Sequence, residues 1–97
     1  MKEIRVSERA QEDLIDIWEF LTEDHPESAK RIMKTFRDKF EMLLKHPLMG
    51  RERNEIFIGL SSFPANRYMI FYQPMDYGIE ILRVRHGAAD LSGIFEL

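Results

Sequence analysis

The stretch from Ser7 to Pro47, SERAQEDLIDIWEFLTEDHPESAKRIMKTFRDKFEMLLKHP, decides the fold. Ser7 stands directly before Glu8, Arg9 and Ala10 and supplies the side-chain oxygen that a helix N-cap needs. From there Ala10, Leu14, Ile17, Trp18 and Leu21 recur at helical spacing, with acids on the remaining positions. His25-Pro26 closes this first helix, because the residue before a proline is pushed out of helical geometry. A second helix starts near Glu27-Ser28 and carries Ala29, Ile32, Met33, Phe36, Phe40, Leu43 and Leu44 on one face until His46-Pro47 breaks it. So short a connection predicts an antiparallel helical hairpin. Residues 8–24 hold seven acids and one Arg, and residues 28–45 hold six bases and two acids, so opposite charges as well as apolar stripes face each other.

Outward from the hairpin the pattern changes period. Glu3-Ile4-Arg5-Val6 alternates polar and apolar residues and reads as a short strand. Beyond the turn-forming Leu48-Met49-Gly50-Arg51 come three apolar runs rich in β-branched and aromatic residues: Ile56 to Phe63, Tyr68 to Tyr72 and Ile79 to Val84. Pro64-Ala65-Asn66 and Pro74-Met75-Asp76-Tyr77-Gly78 separate them, both short enough for hairpins. The expected fold is α+β: an N-terminal strand at a sheet edge, the antiparallel helical hairpin, and a three-stranded antiparallel meander, in one domain over residues 1–97. The hairpin can cover only one face of such a sheet. Strict alternation with Leu82 and Val84 on the covered face sends Arg83 and Arg85 to the open one, as a basic stripe on an otherwise acidic chain, where they and Arg67 either pair with Glu80, Glu55 or the acidic helix or form a binding patch. Trp18, Phe36, Phe40, Phe63 and Tyr72 are expected in the core.

Composition narrows the function. Hydrophobic residues make up 44% and charged residues 32%, an ordinary globular balance. No apolar run reaches the ~20 residues that span a bilayer, and Met1-Lys2-Glu3-Ile4-Arg5 lacks the apolar segment of a secretory signal, so a cytoplasmic protein is expected. Zero cysteines leave no disulfide, thiolate zinc site or cysteine nucleophile. A formal charge of −3 argues against binding nucleic acid through bulk electrostatics. His25 and His46 precede prolines at helix ends, where a His suits the dipole, and the three histidines are too scattered to form a metal site. Ser61, Ser62 and Ser92 carry no nucleophile motif. Glu12, Asp16, Glu19 and Glu23 read as a solvated stripe rather than an acid pair. No metal and no cofactor are expected.

With this element order in view, three segments carry a resemblance: Leu43-Leu44-Lys45-His46-Pro47-Leu48-Met49-Gly50-Arg51; Phe63-Pro64 with Arg67-Tyr68-Met69-Ile70-Phe71-Tyr72; and Ile81-Leu82-Arg83-Val84-Arg85-His86-Gly87. The chain resembles the RelE/ParE toxin superfamily over almost its whole length, and the resemblance implies the order strand, helix, helix, three strands. One branch of that family cuts messenger RNA in the ribosome; the other poisons DNA gyrase. Metal-free RNA scission needs clustered groups that activate the 2′-hydroxyl and stabilise the phosphate. Here Gly87-Ala88-Ala89-Asp90-Leu91 brings no tyrosine, and the second and third strands, Ile56 to Phe63 and Tyr68 to Tyr72, bring only Arg67 between them as a basic side chain. His86-Gly87, Asp90 and the apolar tail Leu91, Ile94, Phe95 and Leu97 look like the ParE ending, although Ala88-Ala89 stands where ParE-like chains often carry basic residues.

The resemblance implies a non-enzymatic toxin that inhibits gyrase and is neutralised in a hetero-oligomer by a ParD-like antitoxin, whose C-terminal half folds across it as helix and strand. No membrane and no sequence-specific nucleic acid enter this reading. An edge strand accepts an added strand, and a groove beside a helical hairpin accepts an amphipathic helix. Ile4, Val6, Trp18, Arg83 and Arg85 are therefore the expected antitoxin contacts. Arg67, Arg83, Arg85, His86, Asp90 and Phe95 are the expected target contacts. A ribosome-dependent endoribonuclease and an inactive interaction module of the same fold are the alternatives.

Overall fold

The computed structural model describes residues 2–95; Leu97, one of the apolar tail residues, lies outside them. The elements run β1 (Glu3–Val6), α1 (Glu8–Asp24), α2 (Pro26–Lys45), β2 (Arg51–Glu52), β3 (Ser61–Ala65), β4 (Tyr68–Met75) and β5 (Gly78–His86). Ser7 caps α1: its Oγ accepts from the Ala10 N–H at 3.1 Å and donates to the Leu82 carbonyl at 2.9 Å, tying the helix start to the sheet. His25 ends α1 by donating its backbone N–H to Leu21, and Pro26 opens α2 one residue later, so the helices double back as the prolines predict.

The sheet order is β1-β5-β4-β3-β2. β3, β4 and β5 form the expected antiparallel meander, and β1 joins its edge parallel to β5, pairing Glu3 with Gly78 through Val6 with Ile81. Parallel pairing follows from the intervening hairpin, which returns the chain to the far side before the meander begins. Two differences concern the strands. β2 is an added two-residue strand on β3. The run from Ile56 to Phe63 is a strand only from Ser61, because Gly59 takes a φ of +93°, and the Asn54 side chain accepts its N–H at 3.2 Å to close a loop.

The larger core lies between the hairpin and one sheet face, where Ala10, Phe36, Phe40 and Leu43 meet Ile70, Tyr72, Ile79, Ile81 and Val84. Trp18 is not part of it and stays 38% exposed. The far face is not open either. Leu60, Phe71 and Ile94 form a second core there, flanked by Ile56, Phe57, Met69, Leu82, Leu91 and Phe95. The loop before β3 and the C-terminal segment thus lie over the face that the hairpin leaves bare.

Strict alternation fails in β5. Tyr72 pairs with Ile81 and Phe71 with Arg83, so Leu82 is an extra residue in the ladder. A bulge of this kind shifts the phase of every side chain beyond it. Ile79, Ile81 and Val84 therefore share the helical face, while Leu82 turns to the second core. Arg83, expected to project into solvent, is 6% exposed. Its Nε and Nη2 bind the two carboxylate oxygens of Asp13 on α1 at 2.8 and 3.0 Å, and its Nη1 donates to the Ile94 carbonyl at 2.6 Å. Asp13 also accepts the Val84 N–H at 2.9 Å. Hydrogen bonding to Asp13 raises the Arg83 pKa further, so the guanidinium stays charged.

A second polar clip explains part of the family-like sequence. The buried Tyr72 hydroxyl donates to the Pro47 carbonyl at 2.7 Å and accepts the Gly50 N–H at 3.0 Å. A Cβ on residue 50 would collide with that hydroxyl, so the Pro47-Leu48-Met49-Gly50 turn requires glycine there.

Two tests follow from these clips. Replacing Asp13 by Ala strands a buried guanidinium and is expected to cost about 3–5 kcal/mol in urea unfolding. Arg85→Ala, which breaks no ion pair among the described residues, is expected to stay within about 0.5 kcal/mol; equal losses would show that Arg83 is not the buried member. Tyr72→Phe is expected to cost about 1–3 kcal/mol near neutrality by orphaning the Gly50 N–H and the Pro47 carbonyl. Burial raises the Tyr72 pKa above its ordinary value, so the unfolded chain releases that proton first. Wild-type stability is then intact below about pH 10 and falls as pH rises beyond it, so the gap to Tyr72→Phe narrows in alkali. A gap that is constant with pH would remove the buried phenol from the account.

Candidate interaction surfaces

The expected target-binding residues separate into two groups. Arg67 is exposed in the β3–β4 turn, where Asn66 takes a positive φ of 59° and the Arg67 carbonyl accepts the Gly87 N–H at 2.8 Å. That bond brings Arg67 beside the end of β5. Tyr68 pairs with His86 across the ladder, and their rings meet edge to face at 5.5 Å. Half-buried Arg85 precedes His86, and exposed Asp90 feels the Arg85 charge. Bonds from the Ser92 backbone and side chain are the main cause that holds the Asp90 carboxyl below its ordinary range. Arg67, Arg85, His86 and Asp90 thus gather at one end of the sheet.

Phe95 does not join them. It packs edge to face on Phe57 at 5.1 Å and on Phe71 at 6.3 Å, while Ile94 beside it is 4% exposed. The segment expected to be a displayed apolar tail is folded onto the sheet as far as Phe95. Arg83 belongs to this framework as well: it holds α1, the β5 bulge and the C-terminal segment in one bond network.

Between α1 and the end of the sheet lies a hollow of about 360 Å³, lined by Asp13, Asp16, Ile17, Phe20, Tyr68, Val84, Arg85 and His86. Ile17 and Val84 give it an apolar floor, and Phe20 is 72% exposed. The His86 Nδ1 accepts the Ala88 N–H at 3.1 Å, which leaves Nε2 as the free ring nitrogen. Tyr68, Arg85 and His86 are groups that can handle protons or anions. Asp16 puts negative charge beside them, whereas the Asp13 carboxylate is neutralised by Arg83, so the hollow mixes one acid with basic and apolar groups, which suits a polypeptide carrying both charges and apolar side chains. Tyr68, Phe20 and Asp13 were not singled out from sequence. Asp13 was detectable in principle, since it borders the Ala10, Leu14, Ile17 stripe, where a core-facing acid needs a buried base.

The expected antitoxin contacts lie elsewhere. Glu3 and Ser7 donate their N–H groups to Tyr77 and Ile81 of the β5 side at 2.8 and 2.9 Å. By the two-residue period, Ile4 and Val6 turn their N–H groups to the free edge. Their side chains pack on the main core, so any contact they make with a partner runs through the main chain. The Gln11 side chain already donates to the Val6 carbonyl at 2.8 Å, leaving room for one short added strand. Trp18 faces a separate groove against α2. Among the described residues, no three His, Asp or Glu side chains cluster closely enough to hold a metal, and no helix is long and apolar enough to cross a membrane.

Known proteins place this geometry. A structure described as the chromosomal ParDE TA system from P. aeruginosa superposes with a TM-score of 0.74 at 18% identity, covering 89% of this chain and 96% of the other. Toxin ParE1 of Caulobacter vibrioides is 31% identical over 87 residues, spanning 89% of this chain and 90% of the relative. The family model described as the ParE toxin of type II toxin-antitoxin system, parDE, matches residues 4–91, from the free edge of β1 to the start of the folded-back C-terminal segment. The chain belongs to the ParE toxin family.

Proposed function

We propose that this ParE-family protein acts in the cytoplasm as a toxin that inhibits DNA gyrase by binding it, without catalysis of its own, and that a ParD-like antitoxin neutralises it. The observation that supports this reading most is the mixed surface at the end of β5. Arg67, Arg85, His86 and Asp90 stand there beside a hollow with an apolar floor and the Asp16 carboxylate, a mixed pattern that suits a protein surface better than a nucleic-acid backbone. Arg83 acts in this reading through position: it fixes the strand that presents Arg85 and His86. Ile94 and Phe95 do the same from the far face. The antitoxin meets the free edge of β1 through the Ile4 and Val6 main chain and the hairpin through Trp18.

One grouping favours the ribonuclease alternative: Tyr68, Arg85 and His86 line the same hollow. A paired assay separates the readings. Purified protein is incubated with gyrase, ATP and plasmid, and separately with translating ribosomes. Trapped, cleaved DNA in the first reaction and intact messenger in the second are the expected results. Arg85→Glu with His86→Ala is expected to weaken trapping at least about tenfold, or ~1.4 kcal/mol, with the unfolding midpoint unchanged. Messenger cut in the ribosome would establish the enzyme instead, and silence in both would establish an inactive module.

A further inference from the structure

The free edge of β1 carries a charge pattern that is complementary to itself. β1 ends the sheet, and the β5 side takes the Glu3 and Ser7 N–H groups, so the main-chain groups of Ile4 and Val6 point away from the body. The Ile4 and Val6 side chains pack towards the main core, which puts Glu3 and Arg5 on the other face of the strand. Both are more than half exposed, and the Arg5 Nη2 donates to the Glu3 carboxylate at 2.7 Å. The Arg5 guanidinium also lies over the Tyr77 ring, 3.9 Å from its centre, which holds the cation in place beside Glu3.

Charged side chains on an edge strand usually guard it against pairing. Here the charges have opposite signs two residues apart, and register decides whether they guard or attract. When two copies of a strand pair antiparallel about a twofold axis perpendicular to the sheet, each side chain stays on its own face, so residues that meet directly are an even number of positions apart. A register centred on Glu3 or on Arg5 sets like charges opposite each other, which is destabilising. One centred on Val6 closes on the carbonyl that the Gln11 side chain already holds at 2.8 Å. The register centred on Ile4 meets neither obstacle. Ile4 exchanges both main-chain bonds with its copy, and Glu3 faces Arg5 of the other copy on each side of the axis. These charged positions are the non-hydrogen-bonded ones, where facing side chains come closest. The exposed pair within each chain is worth little, so sharing Arg5 with a second carboxylate costs little.

We propose that two copies of this chain pair through β1, antiparallel and centred on Ile4, joining their two five-stranded sheets into one. So short an interface lies at the low end of specific association, and the dimer is weak and exchanging. The free main-chain groups of Ile4 and Val6 serve one added strand at a time, so a second copy excludes any other strand from this edge. Only that consequence rests on the toxin–antitoxin reading, in which the excluded strand belongs to the antitoxin.

Sedimentation velocity on the full chain, from roughly 10 µM to 1 mM, is expected to show a reversible monomer–dimer equilibrium. Glu3→Arg and Arg5→Glu, each alone, set like charges opposite each other and are expected to weaken the dimer at least about tenfold. Mixed, the two variants present opposite charges to one another and are expected to dimerise at least as tightly as the wild type. Circular dichroism confirms that these exposed substitutions leave the fold intact. The register is read separately by disulfide formation, since the chain has no cysteine of its own. Under mild oxidation the Glu3→Cys variant is expected to cross-link to the Arg5→Cys variant, across a Cα separation of about 4.5 Å, far faster than either cross-links to itself.

A chain that stays monomeric throughout the range, a dimer indifferent to Arg5→Glu, or an Arg5→Cys variant that cross-links mainly to itself would overturn the proposal. None of these measurements uses gyrase or antitoxin. They can therefore fail while gyrase trapping succeeds, or succeed while trapping fails.

Discussion

The structure depends on one buried ion pair. Asp13 and Arg83 come from opposite ends of the chain, yet they share two hydrogen bonds with side chains 12% and 8% exposed. Burying two charges is expensive, and such a pair persists only when further hydrogen bonds satisfy what remains. Here they do: Asp13 also takes the Val84 N–H, and Arg83 also reaches the Ile94 carbonyl. The pair thus sits where β1 stops covering the edge of β5 and α1 takes over. It lies directly beyond the β5 bulge, and it joins the helical layer to the segment covering the far face. Replacing both partners with well-packed apolar residues can preserve stability, so the value of the pair here lies in register and position more than in net energy.

That placement changes how the cationic strand works. A basic stripe on an open sheet face would suit phosphate, but the bulge takes Arg83 out of the stripe and the C-terminal segment occupies the face. What remains accessible is the end of the strand, where Arg85, His86, Arg67 and Asp90 stand together beside an apolar hollow. The hairpin offers a different surface on another side, and β1 offers a short free edge. Distinct surfaces on a small body allow a target and an inhibitor to be recognised by different chemistry, which is what a toxin under antitoxin control needs.

Much of the fold was legible from sequence because it rests on local signals. Ser7, His25-Pro26 and His46-Pro47 set helix ends through capping and backbone restriction, and their effects do not depend on the rest of the chain. The meander was legible for the same reason. The bulge was not, since Ile81-Leu82-Arg83-Val84 alternates as well as any regular strand and only the pairing with Phe71 and Tyr72 exposes the extra residue. Arg83 was misplaced in consequence. The second core was hidden too, because Ile56, Phe57, Ile94 and Phe95 lie in loops without periodicity, and their burial arises from long-range packing. Trp18 followed the helical spacing of core residues but sits on the flank of α1, where α2 only partly covers it. The fold brings Arg67, Arg85, His86 and Asp90 to one end of the sheet, whereas Tyr68 and Phe20 needed the folded chain to bring them to the neighbouring hollow.

We propose that the end of β5, held in place by Arg83 and Asp13, is the face that meets gyrase. Hydrogen exchange on the protein bound to gyrase tests it most directly. Slowed exchange confined to residues 67–68 and 85–90, with residues 48–59 unchanged, is the predicted result. Protection centred on the Leu48–Ile58 end of the molecule, with His86 and its neighbours still exchanging freely, would contradict it.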